Sequence, residues 1–160
     1  HINRSERIFE AGLAWAKRGG RIDFTTCTTE SFIAEGEIPA GEAVARALSE
    51  GIRLEQITMS SDAGASLPAF DDAGRLVRID TGKPSSLMQA VRDAVTHGVD
   101  LDSAIATITR HVADAYGVSG GQIAVGERAD LLLIDDALQI DTILANGHAI
   151  MVQKKWLIPE

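Results

Sequence analysis

The chain has 160 residues, 45% apolar and 24% charged, with a formal net charge of −8. That composition supports a packed core and argues against global disorder, and the length allows one domain or parts of two. An acidic surface without a Lys/Arg cluster repels phosphate backbones, no apolar run approaches bilayer length, and no signal-peptide pattern opens the chain, so neither nucleic acid nor membrane is an expected partner.

Ser5 stands where it can cap a helix over residues 5–18, with Ile8, Ala11 and Trp15 on one stripe and Phe9, Leu13 and Ala16 beside it. Gly19 and Gly20 end it. Residues 21–27 read as a strand, because Ile22 and Phe24 alternate among β-branched threonines. Residues 28–39 show no clear period. A second helix covers residues 41–50, with Val44, Ala47 and Leu48 inward and Gly51 as the stop. Ile57, Thr58, Met59 and Ser60 form a short strand that runs into a loop of small and polar residues over 61–66.

Residues 67–84 contain a hairpin around Asp71, Asp72, Ala73 and Gly74. A helix over 85–97 carries Leu87, Val91 and Ala94 in register and stops at Gly98. Asp102 caps a further helix that runs to Tyr116, with Ile105, Ile108, Val112 and Tyr116 on one face. Beyond Gly117, glycines and short apolar runs replace helices. Residues 130–134 read as a buried strand with Asp130 at its entry. Residues 141–145 and 148–152 flank Asn146 and Gly147, a dipeptide that accepts positive φ at both central turn positions and so predicts a two-residue hairpin. Strands alternating with helices predict parallel βα units, and the β-rich tail predicts a second, smaller domain.

Two residues stand out by position. If a strand leads into the first helix, His1 sits at its C-terminal end, and Asp62 closes a predicted strand in the same way. In βα barrels that end holds the chemistry. A neutral imidazole and a carboxylate are both zinc ligands. The competing reading makes Asp62 a turn residue and His1 a tag remnant. His97, His111 and His148 lack metal-ligand spacing and read as structural. Cys27, the only cysteine, excludes an internal disulfide, fits a reducing, cytoplasmic location, and reads as a small buried residue rather than a nucleophile. No P-loop or dinucleotide fingerprint is present, and Ser60 and Ser61 lack the nucleophile elbow of serine hydrolases.

Several segments together carry a resemblance. His1, Ile2, Asn3 and Arg4 are similar to a Thr-His-Val-Asn-Arg stretch, and Phe9, Ala16 with Gly20, and Ile22 with Asp23 continue the match. Ile57 to Asp62, Pro68 to Asp72 with Gly74, and Gly126 to Leu133 follow the same pattern. Taken together the chain resembles isoaspartyl dipeptidases (β-aspartyl peptidases) of the amidohydrolase superfamily, over essentially its whole length.

The resemblance implies an α/β fold. Residues 1–118 would be the last strands and helices of a (β/α)8 TIM-type metallo-hydrolase barrel, and residues 119–160 the C-terminal strands of a small β-sandwich. It implies zinc-dependent hydrolysis of the isopeptide bond of β-aspartyl dipeptides by a metal-activated hydroxide. His1 would bind one zinc of a binuclear pair and Asp62 the other. Asp62 would also carry a proton to the leaving amine. Arg4 would hold a substrate carboxylate in its planar fork, and Ser66 would add a hydrogen bond to the substrate. A dipeptide, the N-terminal part of the same protein and a homo-oligomer are the implied partners.

The family's remaining zinc ligands are expected upstream of His1. The opening at His1 without an initiator Met, directly before a helix, likewise predicts a piece of a longer protein, inactive by itself. The family carries glycine where Ala63 and Ala65 stand, so either the loop takes another path or the substrate preference moves. Two other readings compete. One is another cyclic-amide or N-acyl-amino-acid hydrolase of the superfamily, in which Arg4 and Ser66 lose their roles. The other is a metal-free, non-catalytic fragment that contributes only packing.

Overall fold

In the computed structural model, which describes residues 1–71 and 73–157, period-two alternation sets the centre of the fold. A 3₁₀ turn (Ile2–Arg4) leads into α1 (Glu6–Ala16), β1 (Ile22–Thr25), α2 (Glu30–Ala34), α3 (Ala40–Ser49) and β2 (Ile57–Ser60). β1 and β2 pair in parallel, Ile22 beside Ile57 and Thr25 beside Ser60, with α3 in the crossover as the alternation predicts. Ile22, Phe24, Ile57 and Met59 share one face and are all buried. Phe24 meets Phe9 of α1 with ring centroids 5.9 Å apart. Fully burying each of these large side chains contributes about 1.5–3 kcal/mol, so this face anchors the layer. Asp23, Thr25, Thr58 and Ser60 take the opposite, polar face.

A two-stranded parallel sheet has two bare edges, and neither is closed here by a third strand among the described residues. At β1 the Asn3 side chain acts as the neighbour. The Thr25 N–H donates to Asn3 Oδ1 at 2.9 Å, and Asn3 Nδ2 donates to the carbonyls of Thr25 at 3.0 Å and Ile38 at 2.8 Å. At β2 the Met59 N–H donates to the Thr107 carbonyl at 2.9 Å, and His111 Nδ1 lies 3.3 Å from the Ile57 carbonyl. Asn3 is fully buried, so Asn3→Ala strands one amide and two carbonyls. At about 1–3 kcal/mol for each buried unsatisfied group, a loss of roughly 3 kcal/mol or more is expected. Thermal unfolding measures it, and an unchanged midpoint would contradict the edge-closing role.

The second half begins with the expected hairpin, β3 (Ser66–Phe70) and β4 (Leu76–Thr81), antiparallel; Asp72 of its turn lies outside the described residues. Then come α4 (Ser86–Thr96), α5 (Leu101–Ala106) and α6 (Arg110–Tyr116). A four-stranded sheet follows: β5 (Leu131–Ile134), β6 (Ile140–Ala145), β7 (His148–Val152) and β8 (Lys155–Trp156), paired in that order. The β6–β7 turn has φ of 49° at Asn146 and 77° at Gly147, as that dipeptide predicts. No helix among the described residues is long and apolar enough to cross a membrane.

Several expectations shift for local reasons. Ser5 occupies the N-cap of α1 but makes no side-chain capping bond. α1 buries Phe9, Leu13 and Ala16, while Ile8 and Trp15 face outward, Trp15 at 55% exposure beneath the Arg18 guanidinium. α2 forms where no period is visible, because the Thr29 hydroxyl accepts the Phe32 N–H at 3.3 Å. The helix expected from Asp102 to Tyr116 is two helices. Asp100, not Asp102, caps α5 by accepting the Ser103 N–H at 2.9 Å. Thr107 and Thr109 donate their hydroxyls back to the carbonyls of Ala104 and Ile105 at the break. That break frees the Thr107 carbonyl for β2. Tyr116, expected on the buried face, is 80% exposed, and Leu132 and Leu133 of β5 are each 49% exposed.

The remaining histidines and the cysteine have structural surroundings. His97 Nδ1 lies 2.9 Å from the Asp93 carbonyl, His148 Nδ1 lies 3.0 Å from the Asn146 carbonyl, and Cys27 is buried. The tail sheet depends on two carboxylates. Asp130 accepts the Asn146 N–H at 2.7 Å and lies below the usual carboxylate pKa range chiefly through that bond. Asp135 is lowered first by its bond from Lys154 and then by the Gln139 N–H. A folded pKa below the unfolded value gives stability above the unfolded value, about 3.9, and loses it as pH falls through the folded one. Acidification below about pH 4 is therefore expected to loosen β5–β8. Amide exchange at Asn146 should rise there in the wild type, and already at neutral pH in Asp130→Ala.

Candidate metal and substrate site

The polar face of β1 and β2 and the loops at their C-terminal ends carry the site. Asp23 accepts the Thr58 hydroxyl at 2.8 Å and the Ser60 hydroxyl at 2.6 Å, so two donors on β2 hold a carboxylate on β1. Burial raises its pKa above the ordinary value, against the lowering by those hydroxyls. His1 lies over the pair. Its Nε2 is 3.0 Å from Ser60 Oγ and 3.5 Å from Asp23 Oδ2, and its Nδ1 is 3.6 Å from Asp62 Oδ2.

Asp62 follows the end of β2 with φ of +50°, a left-handed conformation that aspartate tolerates better than most residues. Gly64 takes the other left-handed position at +86°, while Ala63 and Ala65 stay outside that region. The loop therefore carries both alanines without backbone strain. Its path is fixed from the hairpin: the Gly64 N–H donates to the Gly82 carbonyl at 3.0 Å, and the Gly82 N–H donates to the Ala65 carbonyl at 2.9 Å. A Cβ at Gly82 would stand 2.8 Å from the Asp62 carbonyl oxygen and 2.9 Å from Cys27 Sγ, so only glycine allows this approach.

Arg4 ends the 3₁₀ turn that begins after His1, which brings both side chains to one end of the sheet. Its Nη1 donates to Glu37 Oε2 at 2.6 Å, its Nη2 lies 3.4 Å from Asp62 Oδ2, and its guanidinium sits over the Phe32 ring at 5.6 Å. Glu37, in the connection from β1 to α3, is buried, and its second oxygen, Oε1, has no hydrogen-bond partner among the described residues. A cleft of about 270 Å³ is lined by Arg4, Phe32, Glu35, Glu37, Ser66 and Leu67.

The structure thus brings His1, Arg4 and Asp62 into one cluster, and Arg4 and Ser66 into one cleft. Patterning alone does not single out Asp23 or Glu37. Alternation could have flagged Asp23, since Ile22 and Phe24 point to the core and leave it on the other face. Nothing in the aperiodic stretch marks Glu37.

Among the described residues no three His, Cys, Asp or Glu side chains form a complete metal-holding group. His1 and Asp62 form a two-donor pair. Metals of a two-metal site lie about 3.5–4 Å apart, so side chains in direct contact, as these are at 3.6 Å, would each be able to hold one of two adjacent ions. Two carboxylates, Asp62 and Glu37, also face the Arg4 guanidinium, and a third, Asp23, stands 3.5 Å from His1. That excess of negative charge is the complement of a divalent cation.

The profile of the amidohydrolase family matches residues 10–155, and the chain belongs to that family. Within it the chain is β-aspartyl dipeptidase-like. It matches β-aspartyl dipeptidase of Fervidobacterium islandicum AW-1, solved in complex with the β-Asp-Leu dipeptide, with a TM-score of 0.83 and 31% identity over 100% of this chain and 40% of that one. An adenine deaminase of Methanosphaera stadtmanae is 28% identical over 137 residues, which are 81% of this chain and 23% of the deaminase. N-acetylglucosamine-6-phosphate deacetylase from Pasteurella multocida shares the fold, with a TM-score of 0.57 and 18% identity over 81% of this chain and 36% of that one. The chain spans well under half the length of each of these proteins.

Proposed function

We propose that the complete protein hydrolyses the isopeptide bond of β-aspartyl dipeptides at a zinc centre, to which this chain contributes His1 and Asp62 as metal donors and Arg4 and Ser66 as substrate contacts. The carrying observation is the convergence of His1 Nδ1 and Arg4 Nη2 on one oxygen, Asp62 Oδ2, beside the cleft that Arg4 shares with Ser66. The match to a dipeptidase solved with β-Asp-Leu supports the substrate class.

Residues 1–118 would be the last part of the barrel and residues 119–160 the last part of a β-sandwich, with residues 158–160 outside the described residues. The parallel β1–α3–β2 unit and the separate β5–β8 sheet support that division. The remaining zinc donors would come from the rest of the protein.

Zinc, when bound, supplies an activated water and polarises the scissile carbonyl. Asp62 takes a proton at its carboxylate and gives it to the leaving amine. Arg4 offers a planar fork to the substrate's α-carboxylate, which exchanges for the long contact to Asp62 while Glu37 keeps Nη1. In an α-aspartyl dipeptide the aspartyl α-carboxyl is itself the scissile acyl group, so Arg4 discriminates the isopeptide by the free α-carboxylate of its aspartyl residue. The Ser66 hydroxyl, on the same cleft, adds a hydrogen bond.

Hydrolysis of β-Asp-Leu against α-Asp-Leu by the complete, zinc-loaded protein tests the reading. Cleavage of the β isomer alone is expected. Cleavage of neither, with turnover of a cyclic amide or an N-acyl amino acid, would overturn the substrate assignment and favour another reaction of the superfamily.

A further inference from the structure

We infer that the outer edge of β4 is the contact surface for a second copy of this chain, the two strands pairing antiparallel across a two-fold axis at Ile79. The pairing does not depend on the zinc reading above.

Among the described residues β4 pairs only with β3, which leaves one edge of the strand bare. The register fixes which residues serve that edge. The Gly82 N–H donates to the Ala65 carbonyl at 2.9 Å, and the Gly82 carbonyl accepts the Gly64 N–H at 3.0 Å, so both backbone groups of Gly82 point to the β3 side. Backbone direction alternates along an antiparallel ladder. Those of Asp80 and Arg78 therefore point to β3, and those of Ile79 and Thr81 point outward. Pro68, which has no N–H to give, stands opposite Ile79, as a non-hydrogen-bonded pair allows.

Outward groups on alternate residues confine a two-fold axis to Val77, Ile79 or Thr81. Centred at Ile79, each strand exchanges both Ile79 hydrogen bonds with its copy and sets Arg78 directly opposite Asp80 of the second copy. These are non-hydrogen-bonded pairs, in which opposed side chains lie closest. Centres at Val77 or Thr81 set Arg78 opposite Leu76 or Pro84 instead. Within one chain Arg78 Nε donates to Asp80 Oδ2 at 2.7 Å. The axis joins two such pairs into a ring of alternating charge, and the partner whose charges complement the strand in this way is the strand itself. Phe70, Leu76, Val77 and Ile79 are each more than half exposed, an apolar surface of the kind that marks association. A lone two-stranded hairpin is marginal in water, and the pairing makes a sheet of four strands.

The test is the mass of the complete protein by sedimentation equilibrium over a dilution series, with thermal melting as a second readout. Arg78→Asp and Asp80→Arg each set like charges opposite one another twice and are expected to weaken the association by at least about 10-fold. The double variant, Arg78→Asp with Asp80→Arg, restores unlike charges and is expected to recover the wild-type mass. Ile79→Pro removes the outward N–H at the axis, which an edge strand tolerates, and is expected to halve the mass. A monomeric wild type would overturn the inference. So would an unchanged mass in all variants, which places the association elsewhere. Unchanged mass with a lower melting temperature would show that the rest of the same protein covers β4, and would overturn it too. Loss of association in both single variants without recovery in the double variant would overturn the pairing at Ile79.

Discussion

Asp62→Asn in the zinc-loaded complete protein is expected to lower kcat for β-Asp-Leu by about 10³-fold with a small change in KM, within the range that a general acid–base group contributes. The amide preserves the size of the side chain and keeps one oxygen toward the site. It cannot take up a proton at neutral pH, so the step that depends on proton transfer is lost. The substitution also suits the backbone. Asp62 has φ of +50°, and asparagine accepts the left-handed region at least as well as aspartate. The loop and the melting temperature should therefore stay unchanged, which separates a chemical effect from a folding one. A kcat within tenfold of wild type would remove Asp62 from the chemistry.

Arg4→Met combines two effects of different origin. Loss of two charge-assisted hydrogen bonds to a substrate carboxylate, at about 1.5–3 kcal/mol each, predicts a fall in kcat/KM for β-Asp-Leu of at least about 10²-fold. Turnover of an uncharged amide should be spared. The second effect falls on the fold. Glu37 loses the one cation that pairs with it among the described residues while its side chain is 3% exposed, and a buried charge left unpaired costs about 3–5 kcal/mol. The double variant Arg4→Met with Glu37→Gln distinguishes the two, because glutamine needs no counter-ion. It is expected to regain stability and not activity. Recovery of β-Asp-Leu hydrolysis in the double variant would show that Arg4 acts only by neutralising Glu37.

Elements governed by neighbouring residues were legible in the sequence. β2 and the Asn146–Gly147 hairpin follow from alternation and from a dipeptide that tolerates positive φ. α3 follows from an apolar stripe closed by Gly51. Features governed by distant partners were not. The break between α5 and α6 accompanies a carbonyl that serves Met59, 48 positions earlier by their numbering. The outward turn of Trp15 depends on which stripe of α1 meets Phe24, and both stripes of that helix are apolar.

The same division holds for the site. His1, Arg4, Asp62 and Ser66 were marked by position or by resemblance, and they do converge. Asp23 was half legible, as a charge on the non-core face of a strand. Glu37 was illegible, because its role comes from Arg4, |i−j| = 33 away, through a contact that no local pattern encodes. Asn3 is marked by resemblance alone, yet it closes the sheet edge beside the site.

Zinc-edge anomalous diffraction from crystals of the complete, zinc-loaded protein tests the central claim most directly. The account predicts a pair of peaks, one within about 2.0–2.2 Å of a His1 ring nitrogen and the other of an Asp62 carboxylate oxygen. Zinc bound elsewhere, with His1 and Asp62 both free of it, would contradict the account.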